Sequence, residues 1–263
     1  METRWEGFRK RPWRGLFAPA LAALVAQDCC LCGRPAGGGP ICAACARELP
    51  RHTAHACPCC ALPVPDGEIC GRCLRKPPAF DATLAAFDYI FPLDVLVQAL
   101  KYRHRLALAG FFARAFDALP AADLVLPMPL HPARLRERGF NQAVEIARPL
   151  ARAAGLPLDL AGVARVRATP PQASLAHDAR LANLRNAFAA RRRFDGLRIA
   201  VVDDVMTTGA SLDALARCLK ASGAAAVHNL VVARTLDPAA AASYEADPAA
   251  RRRRQNGVTA RRR

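Results

Sequence analysis

The sequence predicts an α/β protein: a parallel sheet flanked by helices, preceded by a small cysteine-rich module. Three observations carry this. Ten of the eleven cysteines lie between Cys29 and Cys73. An apolar run, Leu197 to Val202, leads through Asp203-Asp204 into a helical pattern, Ala210 to Ser222, and then into a second apolar run, Val227 to Ala233. Strand, helix and strand at this spacing form a βαβ unit, whose strands are parallel and whose crossover is right-handed. Hydrophobic residues make up 52% of 263. That is enough for a sizeable core and too much for a disordered chain. No uninterrupted apolar run reaches the roughly 18–20 residues of a bilayer span.

Taken from the N-terminus, residues 1–28 carry Arg4, Arg9, Lys10, Arg11 and Arg14, then an apolar stretch from Leu16 to Ala26. This has the outline of an export signal. Export would place the clustered thiols in an oxidising compartment, where they would form disulfides. The extension is therefore read as a short amphipathic helix over the next module, and the protein as cytoplasmic.

Residues 29–76 form the cysteine module. Eight cysteines make four C-x-x-C pairs: Cys29/Cys32, Cys42/Cys45, Cys57/Cys60 and Cys70/Cys73. The second half repeats the first at one constant offset, with Pro35 and Ile41 recurring as Pro63 and Ile69. A C-x-x-C turn sets two thiolates on one side of a tight loop, and two such turns complete a tetrahedral shell around Zn²⁺. A module this small cannot bury enough apolar surface to fold alone, so two structural Zn²⁺ ions are expected to supply the folding energy. An iron–sulfur cluster uses the same ligand type and stays the alternative. Sequential pairing (29/32/42/45 with 57/60/70/73) and cross-braced pairing (29/32/57/60 with 42/45/70/73) are both open, and the repeat favours the first. Cys30 and Cys59 are extra, and Cys218 reads as a packed thiol.

After Lys76-Pro77-Pro78, Thr83 to Ile90 reads as a strand and Leu93 to Leu119 as one or two amphipathic helices. Asp123 to Met128 reads as a buried strand, Pro129 to Phe140 as a loop rich in Pro, Arg and Gly, and Asn141 to Ala154 as a helix capped by Asn141. Residues 163–196 are polar and weakly periodic. From Pro238 the chain reads as a disordered tail with seven Arg against Glu245 and Asp247.

The net charge of +16 favours polyanionic partners but defines no site. Only four of the basic residues are Lys (Lys10, Lys76, Lys101 and Lys220), so an arginine-rich composition accounts for part of it.

The chemistry concentrates in residues 201–211, Val-Val-Asp-Asp-Val-Met-Thr-Thr-Gly-Ala-Ser. Ligands of parallel sheets bind at the carboxyl ends of strands. The backbone N–H groups of Thr207, Thr208, Gly209, Ala210 and Ser211, at a helix start, suit a phosphate monoester. Asp203 and Asp204 suit two ribose hydroxyls or a Mg²⁺ ion bound to them. Neither G-x-x-x-x-G-K nor G-x-G-x-x-G is present there.

This segment resembles the 5-phosphoribosyl-1-diphosphate (PRPP) motif of type I phosphoribosyltransferases. Arg138-Gly139-Phe140-Asn141-Gln142, following Leu126-Pro127-Met128-Pro129-Leu130, resembles the second signature of one branch, the ComF/GntX family. The tandem C-x-x-C module and Leu100-Lys101-Tyr102 add to the resemblance, which covers about residues 28–236. It implies a type I phosphoribosyltransferase-like domain over 80–236 behind a double zinc ribbon. It implies that Thr207 to Ser211 hold the 5′-phosphate of PRPP, and that Asp203 and Asp204 hold the ribose hydroxyls directly or through Mg²⁺. Pro129 to Phe140 then corresponds to the diphosphate loop. Arg134 and Arg138 would neutralise the leaving group there, Lys101 could reach it, and residues 165–193 would form a hood. Asp203, Asp204 and Arg138 become the catalytic candidates for phosphoribosyl transfer to a nitrogen acceptor. A lone His131 beside the loop reads as structural.

Two functional classes follow. One is a PRPP-dependent transferase of unassigned acceptor. The other is a non-catalytic protein of DNA uptake, a process the resemblance implies, whose ribbons contact single-stranded DNA or uptake proteins.

Overall fold

The structure is a computed structural model that describes residues 27–52, 55–64, 67–167 and 186–236. The expected N-terminal helix, the Arg-rich tail and the middle of the hood lie outside the described residues.

Thirteen elements follow in order among those residues. They are α1 (Ala43–Arg47), α2 (Gly71–Arg75), β1 (Ala82–Asp88), α3 (Leu93–Arg103), α4 (Ala107–Ala113), β2 (Leu124–Pro127), α5 (Pro132–Arg138), α6 (Gln142–Ala154), β3 (Val163–Arg165), β4 (Phe188–Ala190), β5 (Arg198–Met206), α7 (Ala210–Ala221) and β6 (Ala226–Arg234). Four strands form one sheet in the order β1-β6-β5-β2, every neighbour parallel. β3 and β4 form a separate antiparallel pair, so the described part of the hood contains a short ribbon.

Side chains alternate across the first half of β5 as a strand's period of two requires. Ala200 and Val202 join a core with Leu96, Leu100, Phe112, Ile146 and Leu150 of α3, α4 and α6. Ile199 and Val201 join a second core with Leu212, Leu215 and Leu219 of α7. Two helical layers therefore sandwich the sheet, as α/β architecture demands of strands apolar on both faces.

The cysteine module is built into this sandwich. Cys29, Ile41 and Leu49 pack in the first core, whereas Cys57, Cys60 and Cys73 pack in the second. The segment between the ribbons runs along β1, the edge strand: His52 N–H donates to the Ala86 carbonyl, and Asp88 N–H and Thr83 N–H donate to the carbonyls of Pro50 and Pro58. An edge that would otherwise offer unpaired backbone groups is thereby covered. Arg51 adds a 2.8 Å bond to the Ala115 carbonyl and lies 4.8 Å over the Phe87 ring.

Local signals explain most boundaries. Asn141 caps α6 by accepting from Ala143 N–H at 3.0 Å. Leu93 to Leu119 resolves into two helices because His104 takes a left-handed conformation, φ 53°, and ends α3. Two sequence expectations are corrected. Pro129 to Phe140 is not all loop: Pro132 at the first helical turn and His131 as its cap start α5, and Gly139 at φ 81° stops it. The strand expected to end at Val202 continues to Met206, because β6 pairs alongside it through Arg234.

At the opposite end of the sheet Arg198 makes two bonds to Asp123, at 3.0 and 2.6 Å, tying the starts of β2 and β5. The Arg198 hydrogen bonds hold the Asp123 carboxyl down at about 2. A depressed carboxyl pKa gives stabilisation that is present above the unfolded value near 3.9 and lost as pH falls through the folded one. The pair is exposed and the effect small. Asp123→Asn should melt slightly below the wild type at pH 7, and the two curves should converge between pH 4 and 2 in differential scanning calorimetry.

Candidate functional site

The eight paired cysteines gather into two groups, Cys29/Cys32/Cys42/Cys45 and Cys57/Cys60/Cys70/Cys73, with all ligand atoms in a group within 4.8 Å of one another. The pairing is sequential. Cys32 Sγ and Cys42 Sγ stand 3.8 Å apart, and Cys60 Sγ and Cys70 Sγ 3.6 Å. Bonds of about 2.3 Å in a tetrahedron place sulfurs close to these separations. No disulfide joins any of the eleven cysteines, so disulfides do not account for the clusters. The donor set fits two closed, structural Zn²⁺ sites. Cys30 and Cys59 stand outside both groups.

The acid pair lies in the last part of β5. Asp203 Oδ1 accepts from Asp204 N–H at 2.9 Å, and Asp204 Oδ1 accepts from Val205 N–H at 2.7 Å. Asp204 is buried, and its Oδ2 lies 2.6 Å from Lys101 Nζ at the end of α3. Burial alone would lower the Lys101 pKa; the Asp204 carboxylate outweighs it, and the net shift is upward. Asp203 is pushed up to about 7, first by burial and then by the charge of Asp204, with Lys101 and Arg165 opposing.

Past Met206 the chain turns through Thr207, Thr208 and Gly209 into α7. Gly209 sits at φ 81°, a left-handed conformation that calls for glycine, and a Cβ there would push aside the end of the Met206 side chain. Thr208 Oγ1 accepts from Ala210 N–H at 3.3 Å. Ser211 lies in the first turn of α7, where helix-terminal N–H groups point outward.

The structure thus joins Lys101 to the acid pair. Arg134 lies on α5 beside Glu137, 3.3 Å away, and its charge reaches Arg165, which in turn faces Asp203 electrostatically. Arg138 goes elsewhere: Nη1 donates to Gln142 Oε1 at 2.6 Å and the guanidinium lies 5.3 Å from the Tyr102 ring centre. No contact joins it to Asp203 or Asp204 among the described residues. His131 is structural, its Nδ1 accepting from Ala133 N–H.

Three arginines were not singled out by sequence reading. Arg165, from β3, lies over Phe188 at 5.6 Å and brings its charge to Asp203. Arg234, 1% exposed, ends β6 and donates to the carbonyls of Cys60, Met206, Thr207 and Thr235. Arg72 in α2 donates to the Thr208 carbonyl at 3.2 Å. A cation closing the apolar run Val227 to Ala233 was a legible signal for Arg234. The other two are hidden in an arginine-rich background.

Comparisons with known proteins agree with this layout. The double zinc ribbon domain matches residues 20–74, and the phosphoribosyl transferase domain matches residues 140–250. The chain is 37% identical over 206 residues to the DNA utilization protein YhgH of Salmonella typhi, covering 74% of this chain and 91% of that one. It is 36% identical over 220 residues to the protein of the same name from Escherichia coli strain K12, covering 79% and 97%. It is 30% identical over 208 residues to competence protein F of Haemophilus influenzae, covering 74% and 85%. Among solved structures, adenine phosphoribosyltransferase from Leishmania tarentolae is similar at a TM-score of 0.33 and 15% identity, over 59% of this chain and 69% of that one. With both domains matched in the same order, and with relatives covered over most of their own length, this chain belongs to the ComF family.

Proposed function

We propose that the carboxyl end of β5 binds PRPP and that the protein acts in the handling of DNA taken up by the cell, in the cytoplasm. One observation carries the first part: the Asp203-Asp204 pair lies in the last part of a central parallel strand, a short turn ahead of a left-handed Gly209 and the start of α7. That is the place where parallel sheets bind ligands. The second part rests on the family, whose relatives are named for DNA utilization and competence. No helix among the described residues is long and apolar enough to cross a membrane.

In this reading Thr207, Thr208, Gly209, Ala210 and Ser211 hold the 5′-phosphate, their N–H groups and hydroxyls meeting an anion at a helix N-terminus. Asp203 and Asp204 accept the ribose hydroxyls. Asp203 and Asp204 would also be the residues to hold Mg²⁺, which would supply positive charge toward the departing diphosphate. Arg165 adds a cation facing Asp203, with Arg134 a second positive charge near Arg165, and stabilising the departing diphosphate needs such preorganised charge. Lys101 holds Asp204 in place and neutralises part of the acid pair. Arg138 acts at the rim, through Gln142 and Tyr102.

Titration calorimetry with Mg²⁺ and PRPP should give saturable one-to-one binding. No heat with PRPP up to millimolar concentration would sink the reading. Diphosphate release in the presence of a panel of purine and pyrimidine bases then separates transferase from binder. The non-catalytic alternative is favoured by one feature, the exposed Tyr102 ring backed by Arg138, a surface on which a base can stack. Binding without release by any base would support it.

A further inference from the structure

The two ribbons differ in what they touch. The first packs on α3 and α4 and makes no hydrogen bond to residues 206–211 among the described residues. The second reaches that loop through two arginines. Arg234 spans from Cys60, a metal ligand, to the loop: Nε donates to the Cys60 carbonyl at 2.8 Å, and Nη1 to the carbonyls of Met206 at 3.1 Å and Thr207 at 2.6 Å. Arg72 stands between the ligands Cys70 and Cys73 and takes the next carbonyl, that of Thr208.

We propose that the second four-cysteine site and the phosphate loop form one unit joined by Arg234 and Arg72. Zinc held by Cys57, Cys60, Cys70 and Cys73 then tightens binding of the PRPP 5′-phosphate, and PRPP in turn tightens retention of that zinc. The inference rests on the PRPP reading above.

Peptide geometry supplies the reason. In a trans peptide the carbonyl of one residue and the N–H of the next point in opposite directions. Three successive carbonyls, of Met206, Thr207 and Thr208, are held by guanidinium groups. The N–H groups of Thr207, Thr208 and Gly209 are thereby directed away from those groups, as a phosphate cradle requires. Arg234 donates to neutral carbonyls, and the Cys60 and Cys70 thiolates beside it balance part of its positive charge, so its contribution to the loop is orientation. Burial lowers its pKa, but a guanidinium stays protonated.

The metal sets where both arginines find their anchors. Cys60 is fully buried, and its carbonyl position follows from its thiolate being held in the S₄ shell. Helix α2 spans only Gly71 to Arg75, too short to persist without the metal that pins its N-cap Cys70 and its central Cys73. Loss of this zinc therefore releases Arg72 and the Cys60 anchor together. Binding linkage is reciprocal, so the effect runs both ways. The first site serves as an internal control, since among the described residues no arginine bridge to residues 206–211 leaves it.

The test uses the full chain loaded with two zinc ions and a zinc-selective chromogenic chelator. Magnesium PRPP should slow release of one zinc several-fold and leave the other unchanged. Arg72→Ala, at an exposed position, should keep two zinc ions and the wild-type melting temperature. Its PRPP affinity should drop about threefold to tenfold, since the bond it loses orients the loop and does not itself touch the phosphate, and PRPP should protect its second zinc less. Arg72→Lys should recover part of the affinity, which a purely structural role would not produce. Arg234→Lys keeps the charge but cannot span Cys60 and Thr207, and should bind more weakly than Arg72→Ala. If that variant does not fold, chelator release from the wild type still decides. PRPP binding to the wild type with equal release of both zinc ions, together with unchanged affinity in Arg72→Ala, overturns this inference alone. Absence of PRPP binding to the wild type overturns the PRPP reading and this inference with it.

Discussion

Asp203→Asn/Asp204→Asn should weaken PRPP binding by on the order of 10²–10⁴-fold, to below detection by calorimetry. Two carboxylates that accept hydrogen bonds from ribose hydroxyls, or that attract Mg²⁺, become neutral amides, and each charged hydrogen bond is worth about 1.5–3 kcal/mol. The single variants separate binding from folding. Asp204→Asn leaves the Lys101 ammonium, only 19% exposed, without its 2.6 Å partner, and should lower the melting temperature as well as the affinity. Asp203→Asn should lower affinity only. The folded-state pKa of Asp203 is raised to about 7, above an unfolded value near 3.9. The native state then holds the proton more tightly, a stabilisation present below pH 4 and lost as pH rises through 7. An amide has no charge to bury, so Asp203→Asn should melt at or above the wild-type temperature at pH 8. Unchanged PRPP affinity in the double variant would place the site elsewhere.

Cys60→Ser should yield one zinc per chain and a protein that is insoluble or partly unfolded. Structural zinc in small modules contributes about 10–16 kcal/mol, comparable to the whole stability of a typical domain at about 5–15 kcal/mol. The damage should spread past the ribbon, because Cys57, Cys60 and Cys73 share a core with Phe80, Met206 and Leu215. Arg234 also loses a fixed acceptor for its Nε. Cys59→Ser is the matched control. Cys59 is also buried, at 6% exposure, yet stands outside the ligand set. That variant should keep two zinc ions by elemental analysis and lose only about 1 kcal/mol. Equal zinc content in the two variants would refute the ligand assignment.

Several features were legible because they depend on neighbours in the chain. Asn141 announces a helix start through its own side chain, and the four C-x-x-C turns through the reach of a thiolate. α5 was missed for the same reason in reverse. Leu135 is its single large apolar residue and is 42% exposed, so no apolar period marks the helix. Its start rests on Pro132 and the His131 cap. The apolar run stops at Val202, ahead of the acid pair, whereas the pair belongs to β5. What extends that strand is a ladder to Val231, Ala233 and Arg234, a partner that local pattern does not reveal. Arg165 and Arg72 could not be told from the other arginines, because their meaning comes only from what they face.

By itself the sequence determined the eight paired cysteines, the parallel βαβ unit and the acidic motif that follows the apolar part of its first strand, whereas the sequential grouping of those cysteines into two sites came from the structure. Each is written within a few dozen residues, through ligand spacing, apolar run length and capping side chains. The tertiary structure alone decided that the ribbons join opposite cores and cover β1. It also decided that Lys101 neutralises Asp204, and that Arg234 ties Cys60, 174 residues away, to the carbonyls of Met206 and Thr207. Those are contacts between distant parts of the chain. Burial creates their strength, since a guanidinium and a carbonyl that would each prefer water in the open chain must satisfy each other inside.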